Sequence, residues 1–141
     1  MYKVKKIDIK DYNEIVKLWK GTEGIVLHYR DDSKKSIKKF LEKNPNTCFI
    51  VEYNKNIIGT IMGGNDGRRG LIYHLFVKPE HRKNGIGKKL LKRIEMGYKK
   101  EGIGKIYLLV LKKNKIGNEF WENNEYKFDG EANFRSKRII E

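Results

Sequence analysis

The residues best suited to chemistry lie in one loop, Arg82-Lys83-Asn84-Gly85-Ile86-Gly87-Lys88. An apolar run, Leu71 to Val77, precedes it and reads as a buried strand. A segment of helical period, Leu90, Leu91, Ile94 and Tyr98, follows it. A helix N-terminus carries backbone N–H groups without partners, together with partial positive charge. Such a junction is suited to holding an anion. Gly85 and Gly87 have no Cβ, so a phosphate can approach the backbone and the loop can take a positive φ. Arg82, Lys83, Lys88 and Lys89 add charge at the same place. The chemistry implied is a pyrophosphate cradle; the alternative is a basic surface turn on a basic protein. The loop is not a Walker loop, because no Gly-Lys-Ser/Thr follows at the required spacing. Leu90 stands where the dinucleotide fingerprint needs its third glycine.

The other reactive side chains offer less. The single cysteine, Cys48, sits in the apolar run Thr47-Cys48-Phe49-Ile50-Val51 and reads as a buried, inert thiol. The three histidines, His28, His74 and His81, are scattered and lack the spacing of a zinc site, so no metal is expected.

The 141 residues are enough for one domain with a core that needs neither disulfides nor metals. The chain opens directly into charged sequence, so no signal segment is expected. No apolar run nears the ~18 residues that span a bilayer. These features point to a soluble, cytoplasmic protein with no membrane role. The net charge of +14 comes from 32 Lys+Arg against 18 Asp+Glu. The lysines are spread along the chain, and no recognition helix, zinc finger or aromatic RNA-binding strand is present, so nucleic acid is not an expected partner.

The positioning elements can be read in order. Tyr2 to Ile7 alternates as a strand. Asp8 and Asp11 have the spacing of a capping box before a helix carrying Tyr12, Ile15, Val16, Leu18 and Trp19. Ile25 to Arg30 is a loop or a short strand. Asp31-Asp32-Ser33 starts a second helix with Ile37, Phe40 and Leu41 as its stripe, and Asn44-Pro45-Asn46 stops it. Strands at Thr47–Tyr53, Ile57–Gly63 and Leu71–Val77 are joined by turns at Asn54-Lys55-Asn56 and Asp66 to Gly70. A helix from about Lys88 to Lys100 ends at Gly102-Ile103-Gly104. The continuous apolarity of Ile106 to Leu111 predicts a strand buried on both faces in the middle of a sheet. Asn114 to Asn124 reads as a helix with Ile116, Phe120 and Trp121 inward, and strands follow at Tyr126–Phe128 and Phe134–Ile140. The order β-α-α-β-β-β-α-β-α-β-β implies a mixed α/β architecture with helices on both faces of the sheet.

This order, with Arg82-Lys83-Asn84-Gly85-Ile86-Gly87 after the fourth strand, resembles the GNAT superfamily of N-acetyltransferases, whose motif is Gln/Arg-x-x-Gly-x-Gly/Ala. Val77-Lys78-Pro79-Glu80-His81-Arg82 is similar to the family's lead-in. Gly59 to Gly70 is similar to the hairpin of a bacterial subgroup of small stand-alone members, YpeA-like. The resemblance covers nearly the whole chain. It implies the GNAT acyl-CoA N-acyltransferase fold over a single domain, residues 1–141, with a central mixed, mostly antiparallel sheet flanked by helices on both faces. It also implies acetyl-CoA as acyl donor, attacked directly by a primary amine.

By the same resemblance, Arg82, Lys83, Asn84, Gly85, Ile86, Gly87 and Lys88 hold the CoA pyrophosphate. Leu75, Phe76 and Val77, on a strand that splays from its neighbour, offer backbone bonds to the pantetheine arm. Asn114 stands where a cofactor-contacting Asn is common. Many members protonate the leaving thiolate with a Tyr in the helix that follows. Trp121 falls at that position and is counted here with the cofactor-binding residues, and an indole N–H is no general acid. Glu125 replaces the glycine of the same pattern. Leu108, Leu109 and Val110 lack the Glu that some members use as base.

An attacking amine must be neutral, so a base or a water relay has to reach it. His74 is the candidate base, because it lies in the strand nearest the thioester and titrates near neutrality; the alternative is a structural histidine. Glu23, His28 and Tyr29 fall in the loop region that lines the acceptor site in the family. A regular strand would send Tyr73 to the face opposite His74. The acceptor, a small molecule or a protein amine, has no readable code in the loops. Homodimers are common in the family, though no residue pattern marks an interface here. Two other functions compete: a module of the same fold that binds acyl-CoA without turnover, and a nucleic-acid-binding protein.

Overall fold

The computed structural model describes residues 1–22 and 24–141, which group into two units, Met1–Leu109 and Val110–Glu141. The larger unit contains one five-stranded sheet whose spatial order follows the chain. Its strands are β1 (Tyr2–Lys6), β2 (Cys48–Tyr53), β3 (Asn56–Asn65), β4 (Gly70–Val77) and β5 (Ile106–Leu108). Neighbours are antiparallel from β1 to β4, whereas β4 and β5 run parallel. A parallel pair needs a crossover, and helix α3 (Ile86–Lys100) supplies it. Helices α1 (Tyr12–Trp19) and α2 (Lys34–Lys43) lie between β1 and β2 in the chain.

Local signals account for most boundaries. Asp8 and Asp11 form the expected capping box, although it opens a single 3-10 turn, Ile9–Asp11, before α1 begins at Tyr12. Ser33 caps α2, its hydroxyl accepting from the Ser36 amide at 3.1 Å. Asn54 and Lys55 both take positive φ, 50° and 66°, as a two-residue hairpin of right-handed twist requires.

The central strand is β3, buried from Ile57 to Gly64. Alternate residues face opposite layers. Thr60 and Met62 look toward α1 and α2, where Ile15, Trp19, Ile37, Cys48, Ile50 and Phe76 form the core. Gly59 and Gly63 look toward Leu90, Ile94 and Tyr98 of α3. Helices therefore cover both faces. Burying each such side chain fully contributes about 1.5–3 kcal/mol.

Four expectations need correction. The Ile106–Leu111 run forms a strand only from Ile106 to Leu108, at the edge of the sheet, with Tyr107 48 % and Leu109 58 % exposed. Apolarity reports how residues pair with faces and is silent on which strand takes the edge. Residues 126–128 and 134–140 form no strand. A strand exists only through a partner, and their weak alternation leaves Phe128, Phe134 and Ile139 exposed. Of the loop and the short strand expected as alternatives for Ile25 to Arg30, the loop is the one that forms. In the smaller unit, helix α4 (Lys115–Asn123) buries Trp121 but exposes Ile116 at 71 %.

Candidate active site

The cradle sequence forms the end of β4, one 3-10 turn at Pro79–His81, a loop, and the start of α3. The helix begins at Ile86, two positions before the expected Lys88, because Gly85 is itself the cap. Its φ of 73° lies in the left-handed region, and no side chain caps the helix. The first intrahelical bond runs from the Lys89 amide to the Gly85 carbonyl at 3.0 Å. The amides of Ile86, Gly87 and Lys88 precede that bond and are the donors a helix leaves over. A Cβ on Gly85 would meet open space, so its backbone is approachable from outside. Ile86 anchors the turn in the core at 2 % exposure.

The polar residues of the loop shape it. Arg82 donates its Nε to the Val77 carbonyl at 2.9 Å, which leaves its other guanidinium donors to the surface. Asn84 donates from Nδ2 to the carbonyls of His81, at 3.1 Å, and Arg82, at 3.3 Å. Lys83 takes a φ of 65°.

Upstream, β4 and β5 part. Their pairing covers Gly70↔Ile106, Leu71↔Tyr107 and Ile72↔Leu108, and β4 runs on from Tyr73 to Val77. The backbone of Leu75, Phe76 and Val77 therefore lies beyond the pairing with the parallel neighbour. The Phe76 side chain packs into the core beneath α1 and α2.

Just past the parting point β4 is irregular. Thr60 pairs with Phe76 and Met62 with Tyr73, so Ile61 stands opposite two residues, His74 and Leu75. The extra residue is a β-bulge, a device that re-aims side chains. His74 carries a φ of 49° there, sparsely populated for a residue with a Cβ. The bulge overturns the expectation that Tyr73 and His74 face apart. Their rings are 6.4 Å apart; Tyr73 packs edge-on to Phe40 of α2, and His74 lies 4.6 Å from the Trp19 ring of α1.

His74 is braced at two points. Its carbonyl accepts from the Thr60 hydroxyl at 2.9 Å, and that hydroxyl accepts from the Trp19 indole at 3.0 Å. Its imidazole Nε2 lies 2.8 Å from Oδ1 of Asp32, with both side chains about six-sevenths buried at 15 % and 14 % exposure. Oδ2 of Asp32 accepts from the His28 amide at 2.9 Å, and the Tyr12 hydroxyl donates to the Asp32 carbonyl at 2.6 Å. Burial pushes the Asp32 carboxyl up, but the bonds from the His74 ring and the His28 amide outweigh it and hold the group below the usual carboxylate range. Tyr73 moves the other way: burial raises its phenol, which stays protonated at neutral pH.

Sequence reasoning singles out His74 but misses Asp32, Thr60 and Trp19 as its supports. Asp32 reads locally as part of a helix start, and no local signal links it to a residue 42 positions away. Of the residues expected near the acceptor, Glu23 lies outside the described residues. His28 turns its Nδ1 toward the Arg30 amide at 3.1 Å, and Tyr29 is 76 % exposed. Asn114 and Trp121 belong to the smaller unit. Asn114 caps α4 by accepting from the Gly117 amide at 2.9 Å, and Trp121 is 8 % exposed between the rings of Phe120 and Tyr126. Cys48 is 2 % exposed, and desolvation pushes its thiol up to about 11, as expected of an inert group.

Three comparisons place this geometry. Residues 12–126 match the model of the acetyltransferase (GNAT) family. The chain is 32 % identical over 131 residues to an acetyltransferase of Sodalis glossinidius, covering 93 % of this chain and 91 % of that protein. It is 34 % identical over 131 residues to one of Photorhabdus laumondii, covering 92 % and 90 %. The crystal structure of a predicted acetyltransferase from Clostridium acetobutylicum with acetyl-CoA has a TM-score of 0.74 at 25 % identity, over 96 % of each chain. The chain belongs to the GNAT family of acetyltransferases.

Proposed function

We infer that this protein transfers an acetyl group from acetyl-CoA to a primary amine. The observation that carries this reading is the parting of β4 from β5, followed directly by the uncapped, amide-lined N-terminus of α3. Such an arrangement suits a long, thin ligand ending in phosphates. Backbone groups of Leu75, Phe76 and Val77 would align the pantetheine. The amides of Ile86, Gly87 and Lys88, with Arg82 and Lys83, would hold the pyrophosphate, and Asn84 keeps the loop in shape. The family match, which runs across the boundary between the two units, supports reading residues 1–141 as one functional domain. Asn114 and Trp121 are carried as cofactor-side residues on the resemblance alone.

His74 is the proton acceptor in this reading. The acceptor's nitrogen lone pair forms the new C–N bond at the thioester carbon. The C–S bond breaks, and CoA thiolate leaves with that electron pair. The proton lost by nitrogen passes to His74 and then to water, and the thiolate takes a proton from water. The sum is amine plus acetyl-CoA giving amide plus CoA thiol. CoA thiolate is a fair leaving group, so alignment supplies much of the acceleration.

Saturating acetyl-CoA should raise the melting temperature, since a ligand of the native state at 100 times its Kd stabilises by about 2.7 kcal/mol. Gly85→Glu and Gly87→Glu should abolish that shift by putting a side chain and negative charge in the cradle. Thiol release should then be followed with a panel of amino acids, polyamines, aminoglycosides and peptides. No thermal shift and no binding would overturn the reading. Binding without thiol release from any amine would favour an acyl-CoA-binding module instead.

A further inference from the structure

We propose that Asp32 is a positioning residue for the reaction, holding His74 in the tautomer whose Nδ1 is free to accept a proton. This rests on reading His74 as the proton acceptor. A neutral imidazole carries one N–H and one lone pair, and which nitrogen has which is set by the partner of the other. An ionised carboxylate only accepts, so the 2.8 Å contact to Oδ1 requires Nε2 to be the donor. The lone pair must then be on Nδ1.

Asp32 is built to stay ionised and still. Its second oxygen is held by the His28 amide, and its backbone is tied twice, by the Tyr12 hydroxyl on its carbonyl and by its own amide on the His28 carbonyl at 2.9 Å. These contacts come from α1 and from the turn before α2, so two elements outside β4 fix the carboxylate. The Trp19–Thr60 chain fixes the His74 backbone from a third. With its ring held by one anchor and its main chain by another, His74 keeps a single orientation at a bulge of unfavourable φ. The proton taken from the acceptor nitrogen arrives at Nδ1 as the imidazolium forms, and the adjacent carboxylate stabilises that cation until water removes the proton.

Imidazole nitrogen shifts in protein labelled with 15N-histidine test this without any substrate. The His74 signals are assigned with His74→Gln, and spectra are taken above about pH 8, where an ordinary imidazole is neutral. The proposal expects N–H character at Nε2 and lone-pair character at Nδ1 in the native protein, and a mixture of tautomers in Asp32→Asn. The opposite tautomer in the native protein would overturn it, and that measurement does not depend on Asp32→Asn folding. With an amine found active in the thiol-release panel, Asp32→Asn should lower kcat at least about tenfold and by no more than the roughly 10²–10⁴ a positioned base supplies, and leave the KM for acetyl-CoA within about twofold. Asp32→Glu should recover part of the loss. A variant that melts lower but keeps its full kcat would reduce the contact to a structural one and overturn the proposal. If His74→Gln keeps full kcat, the base assignment fails, whereas the tautomer measurement still stands as a separate result.

Discussion

His74 is held at a φ of 49° by a buried hydroxyl and a buried carboxylate, and each of the groups involved has a partner. Strain of this kind costs on the order of 1–3 kcal/mol and persists only where the surroundings over-determine it. The Asp32 contact also has a consequence for stability. Its folded-state carboxyl titrates below the ordinary value, so it contributes stability that is fully present above about pH 3.9 and is lost as pH falls through the folded value. The melting temperature of the native protein should therefore exceed that of Asp32→Asn at neutral pH, and the gap should close as pH falls below about 4. Thermal melts of both proteins across that range are the check; a gap that widens toward acid would refute the assignment. Cys48, by contrast, has no chemistry to contribute: its buried thiol is kept protonated and packs as a small apolar group.

At the scale of elements, α3 performs two tasks with its two ends. Its first turn offers unsatisfied amides at a left-handed glycine. Its last turns press Tyr98 against β3 and β4, where the hydroxyl lies 3.0 Å from the carbonyls of both Gly64 and Leu71 and shares its single proton between them. The close approach depends on Gly63, since a Cβ there would overlap the Tyr98 hydroxyl and lie 2.7 Å from Ile94. Gly63→Ala should cost about 1–3 kcal/mol by overpacking, read as a lower midpoint in denaturant with an unchanged slope. The same helix carries the chain from β4 to β5 and so makes that pair parallel. The edge position of β5 follows from this crossover and not from its own residues, whose apolarity alone suggests the opposite.

For the whole molecule, the charge of +14 comes from 32 Lys+Arg against 18 Asp+Glu, with the lysines spread along the chain. Retention on DNA or RNA should vanish at modest salt and show no sequence preference, as nonspecific counterion release predicts. Sequence-selective binding that survives high salt would contradict this. Among the described residues no helix is long and apolar enough to cross a membrane.

What the sequence by itself determined is whatever short-range physics writes. The capping box at Asp8, the Ser33 cap and the Asn54–Lys55 hairpin each rest on residues within four of one another, and each is legible. The family's loop motif is equally local, which is why the strand–loop–helix junction around Arg82 to Lys88 could be read from it. Tertiary structure alone decided the rest, because contacts across tens of residues leave no local mark. The bulge in β4 exists only against β3, and it turns Tyr73 and His74 to one side where alternation predicts two. Residues 126–128 and 134–140 carry strand-like patterns yet form no strand, and Ile106–Leu108 lies at an edge its composition does not announce. Asp32 shows this dependence most directly. In sequence it is one of two aspartates before a helix cap; in the fold its carboxylate lies 2.8 Å from the ring of a histidine 42 residues away.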